Sequence, residues 1–492
     1  MTRLKYLASA AAISVLSFNT AAAAPVDQQG AEKLKKDLLS SQYVAPSVKD
    51  SVTVQPDGSR YKITYDFERF FKKLTLPNLT LDEVQPFISF ATPRDDGRWL
   101  IEADNKLSFK GKFSPPGKPA TDFTANVDSS SANALFDPAL HYIRNGTFKL
   151  QDLGVNLAEA DKRTAFKIAG INYGIDVNDT ADGSAQALKT TGSMSDMVAE
   201  VTQPGQASFT MKAQSAEFSS LFDGIKLRVI NEISSAISAK SEKPAEMQQE
   251  IKEELPKAFP LLQSYKQDFT LKNVSFSTAD QSLGEVSALS YGASLDGAPE
   301  AMRIGFSIRS DGASVDSAIL PPAYAGFVPQ SLNVEVAMPN LNFDAFWQEF
   351  KKQDWKQKGD QASAAGDREF RAMLPDGRLL VEFPNVSAVS DSYDFQISGT
   401  FSGRFLNEKA EDVVVKATIL ARDIDKTIAA VQAAAQQDPR ANNVSMGLMM
   451  AKGFAKTDPD GRSRWEVVAQ PDGSVSVNGQ QLKGPDTPAK QN

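Results

Sequence analysis

The chain has 492 residues, with 53 Lys and Arg against 61 Asp and Glu, one histidine, no cysteine and 41% hydrophobic residues. These counts exclude disulfides, cysteine nucleophiles, thiolate metal sites and any site that draws two histidines from one chain. A net charge of −8 argues against nucleic acid or anionic lipid held by bulk electrostatics, and the length allows two or three hydrophobic cores at about 100–200 residues each.

The chain opens with Arg3 and Lys5, an apolar run over residues 6–18, and then Ala21, Ala22, Ala23 and Ala24 before Pro25. Basic, apolar and small in that order reads as a secretory signal peptide, residues 1–23, cleaved after Ala23 because proline is a poor residue just after a cut. Its apolar part is short for a bilayer span; the alternative is a retained anchor. Export predicts a periplasmic protein that, lacking cysteine, is held together by core burial alone.

Beyond the signal, period-two alternation dominates. Tyr61, Ile63, Tyr65 and Phe67 alternate with Lys62, Thr64 and Asp66, and Leu140 to Arg144 reads as a strand before an Asn145-Gly146 turn. Apolar residues at three- and four-residue steps predict a long amphipathic helix over 218–237, and a second is expected over 244–265. Ile304, Phe306 and Ile308, then Leu332, Val334, Val336 and Met338, resume the strand pattern. A helix over 343–358 follows, then strands at Tyr393, Phe395, Ile397 and at Val413, Val415, Ala417, Ile419, then helices over 424–437 and 443–456. Pro-Asp-Gly at 56–58, 375–377, 459–461 and 471–473 marks turns. The fold class is therefore α+β and β-dominated: long antiparallel meander sheets with several amphipathic helices.

The predicted organisation is an N-terminal β-rich half, 24–239, a helical linker, 240–265, a C-terminal β-rich half, 266–482, and a disordered tail, 483–492. An internal echo hints that the halves are duplicates. Phe148-Lys149-Leu150-Gln151-Asp152-Leu153 resembles Phe269-Thr270-Leu271-Lys272-Asn273-Val274, and Tyr173-Gly174 resembles Tyr291-Gly292.

Chemistry-bearing motifs are scarce. His141 has no Gly-x-Ser-x-Gly elbow to serve, and phosphate-cradling glycine loops are missing, so no catalytic residue, cofactor or metal is expected. Asp176, Asp179 and Asp182 have oxygen ligands at short spacing but lack the glutamate that completes a calcium loop, and read as an acidic turn. Met446, Met449, Met450 and Phe454 read as a core-facing stripe. Aromatic usage, 29 Phe against 4 Trp and 10 Tyr, favours an apolar ligand over a sugar. The leading expectation is a non-enzymatic envelope protein that holds a lipid or other apolar ligand in a groove lined by Phe222, Ile225, Val229 and Ile233. The alternative is a periplasmic scaffold that recruits an envelope partner through its sheet edges.

At the C-terminus, Arg464-Trp465-Glu466-Val467-Val468 runs into Pro471-Asp472-Gly473 and then Ser474-Val475-Ser476-Val477-Asn478-Gly479, a hairpin closing on Asn-Gly. With the helix before it, this resembles the ending of the YdgA-like family of bacterial envelope proteins, whose function is unassigned. Leu341-Asn342-Phe343-Asp344 is similar to that family's strand-to-helix junction. The likeness spans residues from about 30 to 482, with the last 40 or so distinctive. It implies a long, curved, β-rich envelope protein, loosely similar to the groove-shaped sheets of AsmA-like lipid carriers, and brings no catalytic residue. The family often keeps its N-terminal segment as an anchor, whereas this one looks cleavable.

Overall fold

Alternation sustained over 15 to 17 residues makes strands far longer than the usual five or six. The computed structural model describes residues 26–41, 46–73, 78–114, 117, 119–159, 161–239, 246, 249–251, 253–254, 259–316, 319–352, 360–406 and 409–486. In chain order come α1 (Gln28–Ser41), β1 (Val52–Asp57), β2 (Arg60–Tyr65), α2 (Phe67–Lys73), β3 (Leu79–Val84), β4 (Phe87–Pro93) and β5 (Trp99–Phe113). Five 17-residue strands follow: β6 (Thr121–Asp137), β7 (Tyr142–Ala158), β8 (Arg163–Asp179), β9 (Gln186–Thr202) and β10 (Phe209–Ile225). After α3 (Leu227–Ala239) come β11 (Ser264–Thr278), β12 (Ser282–Asp296), β13 (Met302–Asp311), β14 (Ser314–Val315), α4 (Pro322–Ala325), β15 (Ser331–Leu341), α5 (Phe343–Phe350) and α6 (Asp360–Met373). The chain closes with β16 (Arg378–Val389), β17 (Asp394–Leu406), β18 (Lys409–Arg422), α7 (Ile424–Ala435), α8 (Ala441–Gly453), β19 (Lys456–Thr457), β20 (Ser463–Ala469), β21 (Val475–Val477) and β22 (Gln480–Lys483).

All these strands join one antiparallel sheet of 22. Its register carries one feature end to end, because directly opposed residues in an antiparallel pair share a face. Starting at Val54, each residue faces the next: Ile63, Ser89, Ala103, Ala132, Phe148, Tyr173, Gly192 and Phe218. The row continues through Phe269, Tyr291, Ile308, Val334, Val386, Ile397, Ile419 and Trp465. Seventeen strands thus contribute an unbroken row of apolar or small residues and no charge. One position along, Lys149, Asn172, Ser193, Glu217, Thr270, Ser290, Arg309 and Asn333 form a polar row on the other face across eight of these strands.

The helices pack on the apolar face. Leu34 and Leu38 of α1 meet Val54 and Ile63; Leu227 of α3 meets Val177, Leu188 and Ile225. Phe343 of α5 and Met373 of α6 pack with Leu295, Ile304 and Met338, and Ile424, Ile428 and Leu448 of α7 and α8 with Ile419 and Trp465. Asn342 starts α5 as an N-cap, its Oδ1 accepting from the Ala345 amide at 2.8 Å. Trp465 Nε1 donates to the Ala451 carbonyl of α8 at 2.7 Å.

Across the middle of the long strands the alternation slips by one residue. Leu150, Ile171, Met194, Ala216 and Leu271 oppose one another in one row, and Leu153, Ile168, Met197, Ala213 and Val274 in the next. Ile171, Met194, Ala216 and Leu271 of the first row pack with the whole second row into one apolar cluster, hence on one face, although Ala213 and Ala216 are three positions apart rather than two along β10. The odd residues between include Asp152, Asp196 and Asn273, all left-handed with φ near 50°, the conformation Asp and Asn tolerate best after glycine.

Several expectations need correction. Residues 218–225 are strand, not helix: Phe218 and Phe222 pair with both β9 and β11, and α3 begins only at Leu227. Ser264 and Tyr265 open β11 rather than ending a helix. Phe67 opens α2. Asn145-Gly146 lies inside β7, paired on both sides, while the turn sits at His141, with φ 51°. Met446, Met449 and Met450 face solvent, because Leu448 and Phe454 take the core side of α8. Asn478-Gly479 does close a hairpin, with positive φ at both residues. β10 pairs directly with β11 from Phe209↔Thr278 to Asp223↔Ser264, so the two halves share one sheet. The signal peptide, much of the linker and the end of the tail lie outside the described residues.

Gly192 is the glycine of the apolar row, and a Cβ there would stand 2.0 Å from the Phe218 Cζ, a clash. Gly192→Val is expected to cost about 1–3 kcal/mol of stability by overpacking, read from the urea midpoint, with partial recovery when Phe218→Ala is added. An unchanged midpoint would sink the packing claim. Glu369 of α6 is buried with Oε1 unpartnered, and burial pushes its carboxyl above the usual value of 4.5. The protonated form's contribution is then complete below the unfolded value and lost as pH rises through the folded one. Glu369→Gln is expected to raise the melting temperature at pH 7 and to leave it nearly unchanged under acid conditions below the unfolded carboxyl value.

Candidate functional site: an apolar groove

Between α1 and the first long strands the apolar row is left partly open. The opening is a groove of about 680 Å³, within the range of ligand sites. Leu38 of α1 bounds one side; Phe87 of β4, Ile101 of β5 and Phe136 of β6 follow, then Phe148 of β7 and Ile171 and Tyr173 of β8. The sequence builds this floor by alternation, with bulk varied to leave room. Ala103, Ser130, Ala132 and Ala134 are small where β5 and β6 cross beneath, and aromatic or branched residues form the walls. Rings pack around it: Tyr65 with Phe87 at 5.9 Å between centroids, Phe148 with Tyr173 at 6.0 Å, and Tyr173 with Phe218 at 6.0 Å. Burial raises the Tyr173 hydroxyl above its ordinary value, keeping it neutral at any physiological pH.

One end of the groove is fixed by a cluster of ion pairs. Asp137, buried at the end of β6, accepts from Arg144 Nε at 3.0 Å and the Ala139 amide at 2.9 Å and forms an ion pair with Arg98 Nε at 3.2 Å. Arg144 reaches on to Asp179 at 2.9 Å, and Gln186 Nε2 donates to the same carboxylate at 3.3 Å. Burial opposes the Arg144 charge, but its hydrogen bonds to Asp179 and Asp137 outweigh that and raise its pKa; the Arg144 bond in turn holds Asp179 below the usual carboxylate value. Gln186 also accepts from the Leu227 amide at 3.2 Å, and Asn231 Nδ2 donates to the carbonyls of Leu140 and His141 at 3.0 and 3.2 Å. These bonds tie the first turns of α3 to the loop that places His141, Tyr142 and Ile143 in the groove wall.

The four residues expected to line a groove do not share one wall. Phe222 and Ile225 belong to β10 and pack with Leu227 under α3. Ile233 is buried. Val229 lines a separate cavity of about 370 Å³ with Leu140, Gln186 and Lys226. The acidic turn is internally engaged: Asp179 by Arg144, and Asp182 by Thr180 at 2.6 Å and Ser184 at 2.7 Å, which brings the Asp182 carboxyl down to about 2. His141 stands in the groove wall. Phe87, Ile101, Phe136 and Ile171 are not singled out by the sequence, and Phe148 and Tyr173 stand out there only in the internal echo; the lining signal is alternation opposite the small residues Ser130, Ala132 and Ala134.

No protein-family model, curated protein or solved structure matches this chain.

Arg144→Met would leave buried Asp137 with the Arg98 cation and the Ala139 amide. The expected cost is about 2 kcal/mol at pH 7, short of the full penalty for an unpaired buried charge because one partner stays. Asp179 contributes through its lowered pKa, so its share is present above the unfolded carboxyl value and lost as pH falls through the folded one. Urea titrations should therefore show the gap between wild type and variant narrowing under acid conditions.

Proposed function

We propose that the protein is an exported, non-enzymatic envelope protein that holds the acyl chains of a lipid in the groove of β4 to β8. The observation that carries this is the groove itself: about 680 Å³, walled by Phe87, Ile101, Phe148, Ile171 and Tyr173, with the Asp137–Arg144 ion pair adjoining the lining residues Phe136 and Ile143. Each methylene moved from water into such a space contributes roughly 0.8 kcal/mol before the cost of association. A polar solute would find few partners along these walls.

The basic, apolar and small order of residues 1–24 supports a periplasmic address and cleavage after Ala23. The C-terminal hairpin and helix support the likeness to the YdgA-like envelope family. A duplicated origin of the two halves is supported by register: Phe148 opposes Tyr173 as Phe269 opposes Tyr291, and Asp152 and Asn273, each four residues on, are both left-handed.

Native mass spectrometry of the exported protein, followed by solvent extraction, tests the reading. The expected result is bound lipid, with Phe148→Glu or Ile171→Glu lowering occupancy about tenfold or more, since a carboxylate must be desolvated in the groove. Circular dichroism checks that the variants fold. A consistently empty protein recovered with one stoichiometric protein partner would overturn the lipid reading in favour of a scaffold.

A further inference from the structure

The groove is one stretch of a longer surface. From Tyr173 the apolar row runs on through Gly192, Phe218 and Phe269 to Tyr291 and Ile308. Tyr173 and Tyr291 are four strands apart, about 19 Å at the usual strand spacing. Around that second point the face is open. Leu289, Tyr291, Phe306 and Ile308 are 40%, 39%, 43% and 47% exposed, and they lie on one face, since Tyr291 opposes Ile308 and Ala293 opposes Phe306. α5 and α6 cover the Leu295, Ile304 and Met338 end of these strands, beyond the exposed four.

We propose that this open stretch of β12 and β13 is a second acyl-chain surface, continuous with the groove, so that lipid is held along the row and not at one point. The proposal rests on the acyl-chain reading of the groove. Three observations select acyl chains as the occupant. The patch is continuous with the groove through a row that carries no charge. The backbones of β12 and β13 are already paired on both sides over this stretch, β12 with β11 and β13, β13 with β12 and β15. A peptide therefore cannot add to them as a strand. The polar partners a protein would need, Ser290 and Arg309, point to the opposite face, where Arg309 is committed to Asn333 at 3.1 Å and Glu335 at 2.7 Å. A methylene chain needs contact area and no hydrogen bond.

The test uses the full exported chain carrying the photo-crosslinker benzoylphenylalanine at one position at a time: Phe148 in the groove, Tyr291 or Ile308 on the open stretch, and Ser290 or Arg309 on the polar face. The probe is vesicles of phosphatidylethanolamine with a minor share of phosphatidylglycerol, radiolabelled in the acyl chains. The expected result is lipid labelling at Phe148, Tyr291 and Ile308, several-fold above Ser290 and Arg309. Labelling at Phe148 alone overturns the second surface and leaves the groove reading standing; labelling at none of the three overturns both. As a second readout, Tyr291→Glu with Ile308→Glu is expected to lower the lipid bound per protein while crosslinking at Phe148 persists. Unchanged lipid content in that variant, or a protein in place of lipid crosslinked at Tyr291 in cells, overturns the second surface.

Discussion

Everything in this molecule depends on the backbone ladder that fixes which residue stands opposite which. A strand inside a sheet must place its amides and carbonyls with neighbours on both sides, and a meander satisfies that need with the strands next to it in sequence. Register then turns a local pattern into a surface. Because opposed residues share a face, alternation kept in phase through seventeen strands becomes one apolar side and one polar side, and a one-residue slip in any strand would turn a charge such as Lys149 or Glu217 into the apolar row. The left-handed residues Asp152, Asp196 and Asn273 show how tightly this phase is kept: the long strands shift their alternation together, and the apolar residues on either side of the shift stay in one cluster.

Helices enter this scheme as covers. α1 closes the Val54 end of the apolar row, α7 and α8 close the Trp465 end, and α3 and the α5 and α6 pair occupy places between. What they leave open is the groove and the stretch of β12 and β13. The groove between α1 and β8 is held to shape by Arg98, Asp137, Arg144 and Asp179 at one end, and by the bonds that Asn231 and Gln186 make with the neighbouring loop and helix end. Charge thus serves as a clasp at the edge, and the interior is left to contact area.

Much of the sheet is legible in the sequence, because Leu332 to Met338 or Val413 to Ile419 alternate cleanly and the Asn478-Gly479 turn follows from its residue types. The failures are equally physical. Residues 218, 221, 222 and 225 fit helical steps as well as they fit a strand, and the polar Ser220 hides the alternation that pairing enforces. A groove assigned to that supposed helix had to fail as a group, since two of its four residues lie on a strand, one is buried and one faces a different cavity. The lining actually observed required register. Phe148 and Tyr173 are 25 positions apart, and nothing in either segment alone says that they meet. The slip around Asp152 is visible in the sequence only as apolar residues three apart with an acidic residue between, a pattern that a turn or a bulge would share.

The one-sided packing has a thermodynamic consequence. Among the described residues the core helices gather on the apolar face, so each strand draws its stability mainly from the two beside it, as the repeats of a solenoid do. The energetics are then those of a linear chain of nearest-neighbour couplings, in which fraying proceeds inward from the ends and α1, α7 and α8 serve as end caps. An elongated guest lying across several strands adds coupling beyond nearest neighbours. Lying on the apolar face between the helices, it would make the sheet more cooperative when loaded than when empty.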